Sequence, residues 1–332
     1  MKKEDGSWPE DTAAVGRKTG VFFSRAKPGT TVVAIHLLMI LCATLVSTSF
    51  TVGDAIANGM DPAVLTLLRF FLAALLFAPW IRRKFGLALP RPADLGRYAM
   101  ISGALVGFFW LMFQALRSTS ALNTSVLFTL VPGISGLYSA VLLRERLGRN
   151  RLLALALATA GAIWVIFRGD ITLLVNLKMN QGDLLFFIGC LLMALYTPLV
   201  KLLHRGESMA FMTFWILVTG CGWLLILGGN RLFQVEWSQI SLSVWAGIVY
   251  LAVFCTIITF FLSQYAVLFI GPTRVMAYSY LYPPLVIGLE LLSGHPLPSL
   301  RTLAGILLII PAMVVVQRQD RPPGPESQDR TG

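Results

Sequence analysis

Ten apolar runs follow one another along the 332-residue chain and leave almost nothing from which a water-soluble core could be built. They lie at Thr31 to Val52, Pro62 to Ile81, Tyr98 to Leu116, Ala121 to Leu143 and Leu152 to Phe167. A second set lies at Leu184 to Val200, Met209 to Gly228, Val244 to Val267, Thr273 to Ser293 and Thr302 to Val316. A helix needs roughly 17 to 25 apolar residues to cross ~30 Å of hydrocarbon, and runs near that length recur from end to end. With 56% hydrophobic residues, 13% charged residues and a mean hydropathy of +0.73, the solvent of this chain is a bilayer. In hydrocarbon every backbone N–H and C=O must find a partner inside the protein, so the runs are predicted as helices. The predicted class is an all-α membrane protein with ten transmembrane helices.

A net charge of +11 invites a polyanionic partner, but the placement of the 27 Lys and Arg residues argues otherwise. With the N-terminus inside, 21 of them fall on the inner side and five outside, while Arg69 sits within a span. That bias orients both termini toward the cytoplasm of a plasma or inner membrane. The basic excess is then a topology signal with a lesser attraction to anionic lipid, and no nucleic-acid partner is expected. Cys42, Cys190, Cys221 and Cys255 sit alone in separate spans, without the paired spacing of a disulfide or metal motif. The first run is too long for a signal-peptide core and is expected to be retained. Residues 1–30 and 318–332 are polar and rich in Pro and Gly, and are predicted to be disordered cytoplasmic ends.

The second half repeats the first. Ala115 to Pro132 overlies Ala266 to Pro283 at an offset of 151, with the same apolar pattern and a proline at the same place. Farther on the offset is 150, where Leu147 meets Leu297, Arg151 meets Arg301 and Gly161 meets Pro311. Five crossings per copy force opposite orientations, which predicts two inverted five-helix repeats, 31–168 and 183–317, an arrangement used by transporters. Leu130-Val131-Pro132 followed by Arg144-Glu145-Arg146-Leu147 is one characteristic string, and Leu68-Arg69-Phe70 is another. A third is Ala194-Leu195-Tyr196-Thr197-Pro198-Leu199-Val200-Lys201. In the order and spacing of these strings the chain resembles the drug/metabolite transporter superfamily, and within it the EamA-like ten-helix members. The resemblance runs from Thr31 to Gln317. It implies a secondary transporter, not an enzyme, that exports a small metabolite, amino acid or drug-like solute by alternating access; a small-solute importer of the same fold is the alternative. Gly294-His295-Pro296-Leu297 departs from the family, which carries Gly-Glu-Pro-Leu there.

Polar and ionisable groups inside the spans are the candidate functional residues. Arg69 lies about two turns into its span, ~10 Å deep at 1.5 Å per residue, and is predicted to face the interior. Two roles stay open for it. It is either an anchor for a substrate carboxylate or phosphate, which a guanidinium grips with a bidentate fork, or a structural group that snorkels to the surface or pairs with Glu290 or, second, Asp54. Pro132-Gly133 and Pro283-Pro284, in equivalent spans, are predicted to open their helices and act as gating points, with Glu290 and Glu145 as further gating residues. The remaining substrate-binding candidates are Ser49, Gln114, Tyr196, Gln264 and Tyr280, with Ser47, Thr197, Tyr278 and Tyr282 beside them. Gln114 and Gln264 fall within one residue of equivalence in the two halves. His36 reads as a satisfied core residue or a proton relay. Gly103 and Gly107 read as packing residues.

No phosphate-binding Gly-Lys loop, paired-His helix or Cys pair occurs, so no cofactor, metal or ATP-driven engine is expected. Two other function classes compete with transport. A lipid-active intramembrane enzyme needs His and carboxylate groups converging at one face, whereas His36, His204 and His295 are scattered. A non-transporting membrane receptor would carry a substantial extramembrane domain. The expected partners are a small-molecule substrate, the lipid bilayer and a second copy in a homodimer. Asn123-Thr124-Ser125 matches a glycosylation sequon, but lies almost flush with the membrane and reads as a chance match.

Overall fold

The computed structural model describes residues 28–86, 89–144, 148–167, 169–170, 180–270 and 272–317. Glu145 and the tails 1–27 and 318–332 lie outside the described residues. Among the described residues all regular structure is helical: α1 Pro28–Ile56, α2 Pro62–Phe85, α3 Pro92–Ala115, α4 Ala121–Phe128, α5 Val131–Leu142, α6 Arg149–Ile166 and α7 Gln181–Leu203. They are followed by α8 Met209–Gly228, α9 Leu242–Ala252, α10 Thr259–Ile270, α11 Pro272–Ala277, α12 Tyr282–Leu292 and α13 Leu300–Gln317. A π-helical turn, Val253–Ile258, joins α9 to α10, and a 3-10 turn, Tyr278–Leu281, joins α11 to α12.

Eight helical stretches are long and apolar enough to cross a membrane: α1, α2, α3, α4 with α5, α7, α8, α9 with α10, and α11 with α12. The apolar parts of α6 and α13, Leu152–Ile166 and Leu300–Val316, are shorter. Arg149 and Arg301 take up the first turns of these two helices, which is why the sequence runs there yield less apolar length than the others.

Interhelix contacts fix relative directions. Arg97 near the start of α3 donates to the carbonyl of Leu203 at the end of α7, and Asn180 at the start of α7 donates to that of Ser118 just past α3, so α3 and α7 are antiparallel. Helices α2 and α8 are antiparallel too, with Gly220 against Phe70 and Gly228 against Ala63. In α6 and α13, Trp164 Nε1 donates to the Arg301 carbonyl at 2.8 Å, while Gly161 faces Gly305 and Ile309, again antiparallel. Small residues allow these close approaches. A Cβ on Gly161 would stand 2.6 Å from the Gly305 carbonyl oxygen, a backbone atom that cannot give way. Gly107 faces Leu192 of α7 and Gly103 faces Trp223 of α8, the packing role expected of them.

Polar side chains inside the bundle mostly satisfy themselves locally. The hydroxyls of Ser47, Thr66, Ser125 and Thr129 return to carbonyls of their own helices at 2.6 to 2.8 Å. Two spans are broken. Between α4 and α5, Thr129 and Leu130 donate to carbonyls only three residues back, at 3.0 and 3.1 Å, just ahead of Pro132. In the second half the 3-10 turn at Tyr278–Leu281 comes just ahead of Pro283. A proline cannot donate to the ladder, so the helix tightens or opens before it. Both interruptions directly precede the prolines singled out in the sequence, Pro132 and Pro283.

Candidate solute site

Between the two broken spans lies a cavity of about 60 Å³. Pro132, Gly133, Ser135 and Ser139 of α5 form one wall, Met276, Ala277 and Tyr280 of the α11–α12 junction form the other, and Thr197 and Lys201 of α7 border it. Its surface combines hydroxyls and one ammonium with apolar carbon, a lining suited to small amphipathic molecules. The volume has room for a few waters.

Of the residues singled out in the sequence, Pro132, Tyr280 and Thr197 meet at this cavity. Pro283 is buried in the first turn of α12. Ser49 is buried with its hydroxyl on the Val46 carbonyl at 2.6 Å, while Gln114, Tyr196 and Gln264 are half-buried in α3, α7 and α10 and do not line the cavity. Glu290 is half-buried near the end of α12, in the neighbourhood of Asp54 and His295. His36 Nδ1 is bonded to the Tyr278 hydroxyl, which ties α1 to the break in the second half. Sequence reasoning passed over Ser135, Ser139 and Lys201. The signal was there: two serines four residues apart, one helical turn after Pro-Gly, share a face.

Both ends of the bundle are tied across the halves. At the end where α3 begins and α7 finishes, Arg97 is bonded to Asp94 at 2.5 Å and to Glu207 at 3.4 Å. Burial pushes the Glu207 carboxyl up, but backbone N–H donors and the Arg97 charge outweigh it and hold the group below its ordinary 4.5. At the opposite end Asp183, 2% exposed, accepts from the Thr119 hydroxyl and takes Asn123 Nδ2 on both oxygens at 3.2 Å. Arg231 pairs with Asp61 there, and Arg117 donates to the carbonyls of Ala57 and Met60 at 3.1 and 2.9 Å. The cavity lies on the Arg97 side, since Lys201 and Val316 border it near the last turns of α7 and α13.

Arg69 stands apart from the cavity, about two turns into α2, and is 1% exposed. Its Nε donates to Thr256 Oγ1 at 3.1 Å and its Nη2 to the Cys255 carbonyl at 3.4 Å, while Nη1 has no hydrogen-bond partner. The guanidinium carbon lies 4.3 Å from the ring centroid of Phe109. Arg69 does not meet Glu290 or Asp54. Those carboxylates sit at helix ends, whereas Arg69 faces the π turn in mid-span.

The profile of the EamA-like transporter family matches this chain at residues 33–167 and again at 180–318. An uncharacterised transporter of Bacillus subtilis, YyaM, is 23% identical over 206 residues, covering 62% of this chain and 68% of that protein. An uncharacterised transporter of Archaeoglobus fulgidus is 25% identical over 251 residues, covering 75% of this chain and 85% of its own length. A solved crystal structure 20% identical in sequence superposes with a TM-score of 0.59 over 86% of this chain and 99% of its own, a likeness of fold. With a family match over most of its length on an apolar helical bundle, the chain belongs to the EamA-like transporters of the drug/metabolite superfamily and is a multi-pass membrane transporter.

Proposed function

We propose that this transporter is a secondary exporter of a small metabolite, amino acid or drug-like solute, built from two inverted five-helix halves that rock around the cavity between them. The two helix breaks carry this reading: they lie one repeat offset apart and form facing walls of a single cavity. Equivalent helices running antiparallel, α2 beside α8 and α6 beside α13, are what an inverted repeat requires. Counting α6 and α13 as crossings completes ten spans. Their shorter apolar lengths are accommodated by local bilayer thinning and by snorkelling of Arg149 and Arg301.

The Lys/Arg bias puts the Arg97–Glu207 end, both termini and the mouth of the cavity on the cytoplasmic side of the plasma or inner membrane. The Asp183 and Arg231 ties then close the outer end, so the conformation is sealed outside and contracted inside. Pro132 and Pro283 act as the flexing points, with Glu290 and Glu145 as the further gating residues, and Tyr280 contacts the solute once the cavity widens. Ser49, Gln114, Tyr196 and Gln264 reach it when the halves reopen.

Mass spectrometry of culture medium from cells with and without the gene identifies the solute, and purified protein in liposomes is then asked to move it. Flux without ATP is the expected result. Flux only with added ATP, or none from protein that still binds the solute, contradicts the proposal.

A further inference from the structure

We propose that the transported solute is an anion and that Arg69, backed by the π turn between α9 and α10, is the group that selects it; this deepens the transporter reading and rests on it. A guanidinium in a membrane interior is expensive unless paired, and buried charges in proteins are paired. Among the described residues no carboxylate lies within ion-pair distance of Arg69, and its hydrogen-bond partners, Thr256 Oγ1 and the Cys255 carbonyl, are neutral. Its Nη1 donates to nothing. A cation kept at 1% exposure with an orphaned donor has a counter-ion that comes and goes.

The π turn is an independent pointer. The segment Val253–Ile258 contains no Pro or Gly to force it, and single π turns within helices recur at functional sites. Here the turn positions the guanidinium. Thr256 Oγ1 donates to the Leu251 carbonyl at 2.9 Å while accepting from Arg69 Nε, and the Cys255 carbonyl faces Nη2. Two donors are thereby pinned to protein and Nη1 is left over, a match for a carboxylate or phosphate oxygen.

Ring contacts lead from this site to the two helix breaks. Arg69 lies over Phe109; Phe109 meets Phe108 at 4.9 Å, Phe108 meets Phe128 at 5.6 Å, and Phe128 meets Tyr282 at 5.5 Å between centroids. Phe128 ends α4 and Tyr282 begins α12, so the line of rings finishes on both helix breaks. Flexing at the breaks parts the rings and admits the anion to Arg69.

The test follows thermal unfolding of the purified full-length protein with acetate, glutamate, benzoate, inorganic phosphate or glycerol phosphate, against choline, benzylamine and glycerol at matched ionic strength. At least one anion is expected to raise Tm by ~2 °C or more, with the cations and glycerol inert, and the responding probes distinguish a carboxylate site from a phosphate site. Arg69→Lys should need about tenfold more of the same anion, because an ammonium lacks the fork, and Arg69→Gln should lose the response. If the Gln variant does not fold, the Lys variant decides. No response to any of the anions, a response to cations alone, or an unchanged response in the variants overturns the inference. Solute flux persisting in that case leaves the transporter reading standing, whereas anion binding without flux of the bound anion counts against that reading instead.

Discussion

Asp183 ties the two halves together at the end of the bundle opposite Arg97 and Glu207. Its carboxylate gathers Thr119 and both contacts from Asn123, from a segment of the other half. Asp183→Ala strands these donors and is expected to lower stability by about 1.5–3 kcal/mol, measured by thermal unfolding in detergent, with Asp183→Asn costing less. Glu207 makes the matching prediction at the opposite end. Its folded-state pKa is depressed, so its stabilising contribution is present above about pH 4.5 and fades as the pH falls through the lower folded value. Glu207→Gln should therefore unfold at a lower temperature than the parent at pH 7, and the gap should close on acidification; a gap independent of pH refutes the assignment. Single residues were unevenly legible in the sequence. The depth of Arg69 was readable from its position in an apolar run, but its partners were not, because they come from a span almost 190 residues away. Asp183 reads as an ordinary residue flanking a span, and Asn123 as a chance sequon, until the fold brings them together.

Whole helices were more legible than their contacts, since hydrocarbon tolerates only long apolar stretches with satisfied backbones. Both breaks were announced by proline. The π turn had no such signal in Val253-Phe254-Cys255-Thr256-Ile257-Ile258, because a side chain from another helix, Arg69, engages its carbonyl and hydroxyl. Replacing Pro132 or Pro283 by Ala restores a ladder donor. Each change should leave thermal stability unchanged or slightly raised while slowing solute flux by about tenfold, and equal flux would show the breaks to be static kinks. Between α6 and α13, Gly161→Leu sets a side chain against the Gly305 backbone. It is expected to cost about 1–3 kcal/mol, read from the unfolding midpoint, because overpacking there cannot relax.

At the scale of the molecule the apolar runs carried the all-helical membrane architecture, and the antiparallel contacts of α2 with α8 and α6 with α13 are those that the proposed inverted repeat requires. The central claim is that the two mouths open in turn. The most direct measurement staples the outer mouth by a disulfide between cysteines at Thr119 and Asp183 in a background freed of native cysteines, with Ser139→Cys as an inner reporter. Oxidation should raise labelling of that reporter by an impermeant maleimide applied from the cytoplasmic face and stop solute flux, with both effects reversed by reductant. Unchanged labelling together with undiminished flux through the stapled protein would contradict the account.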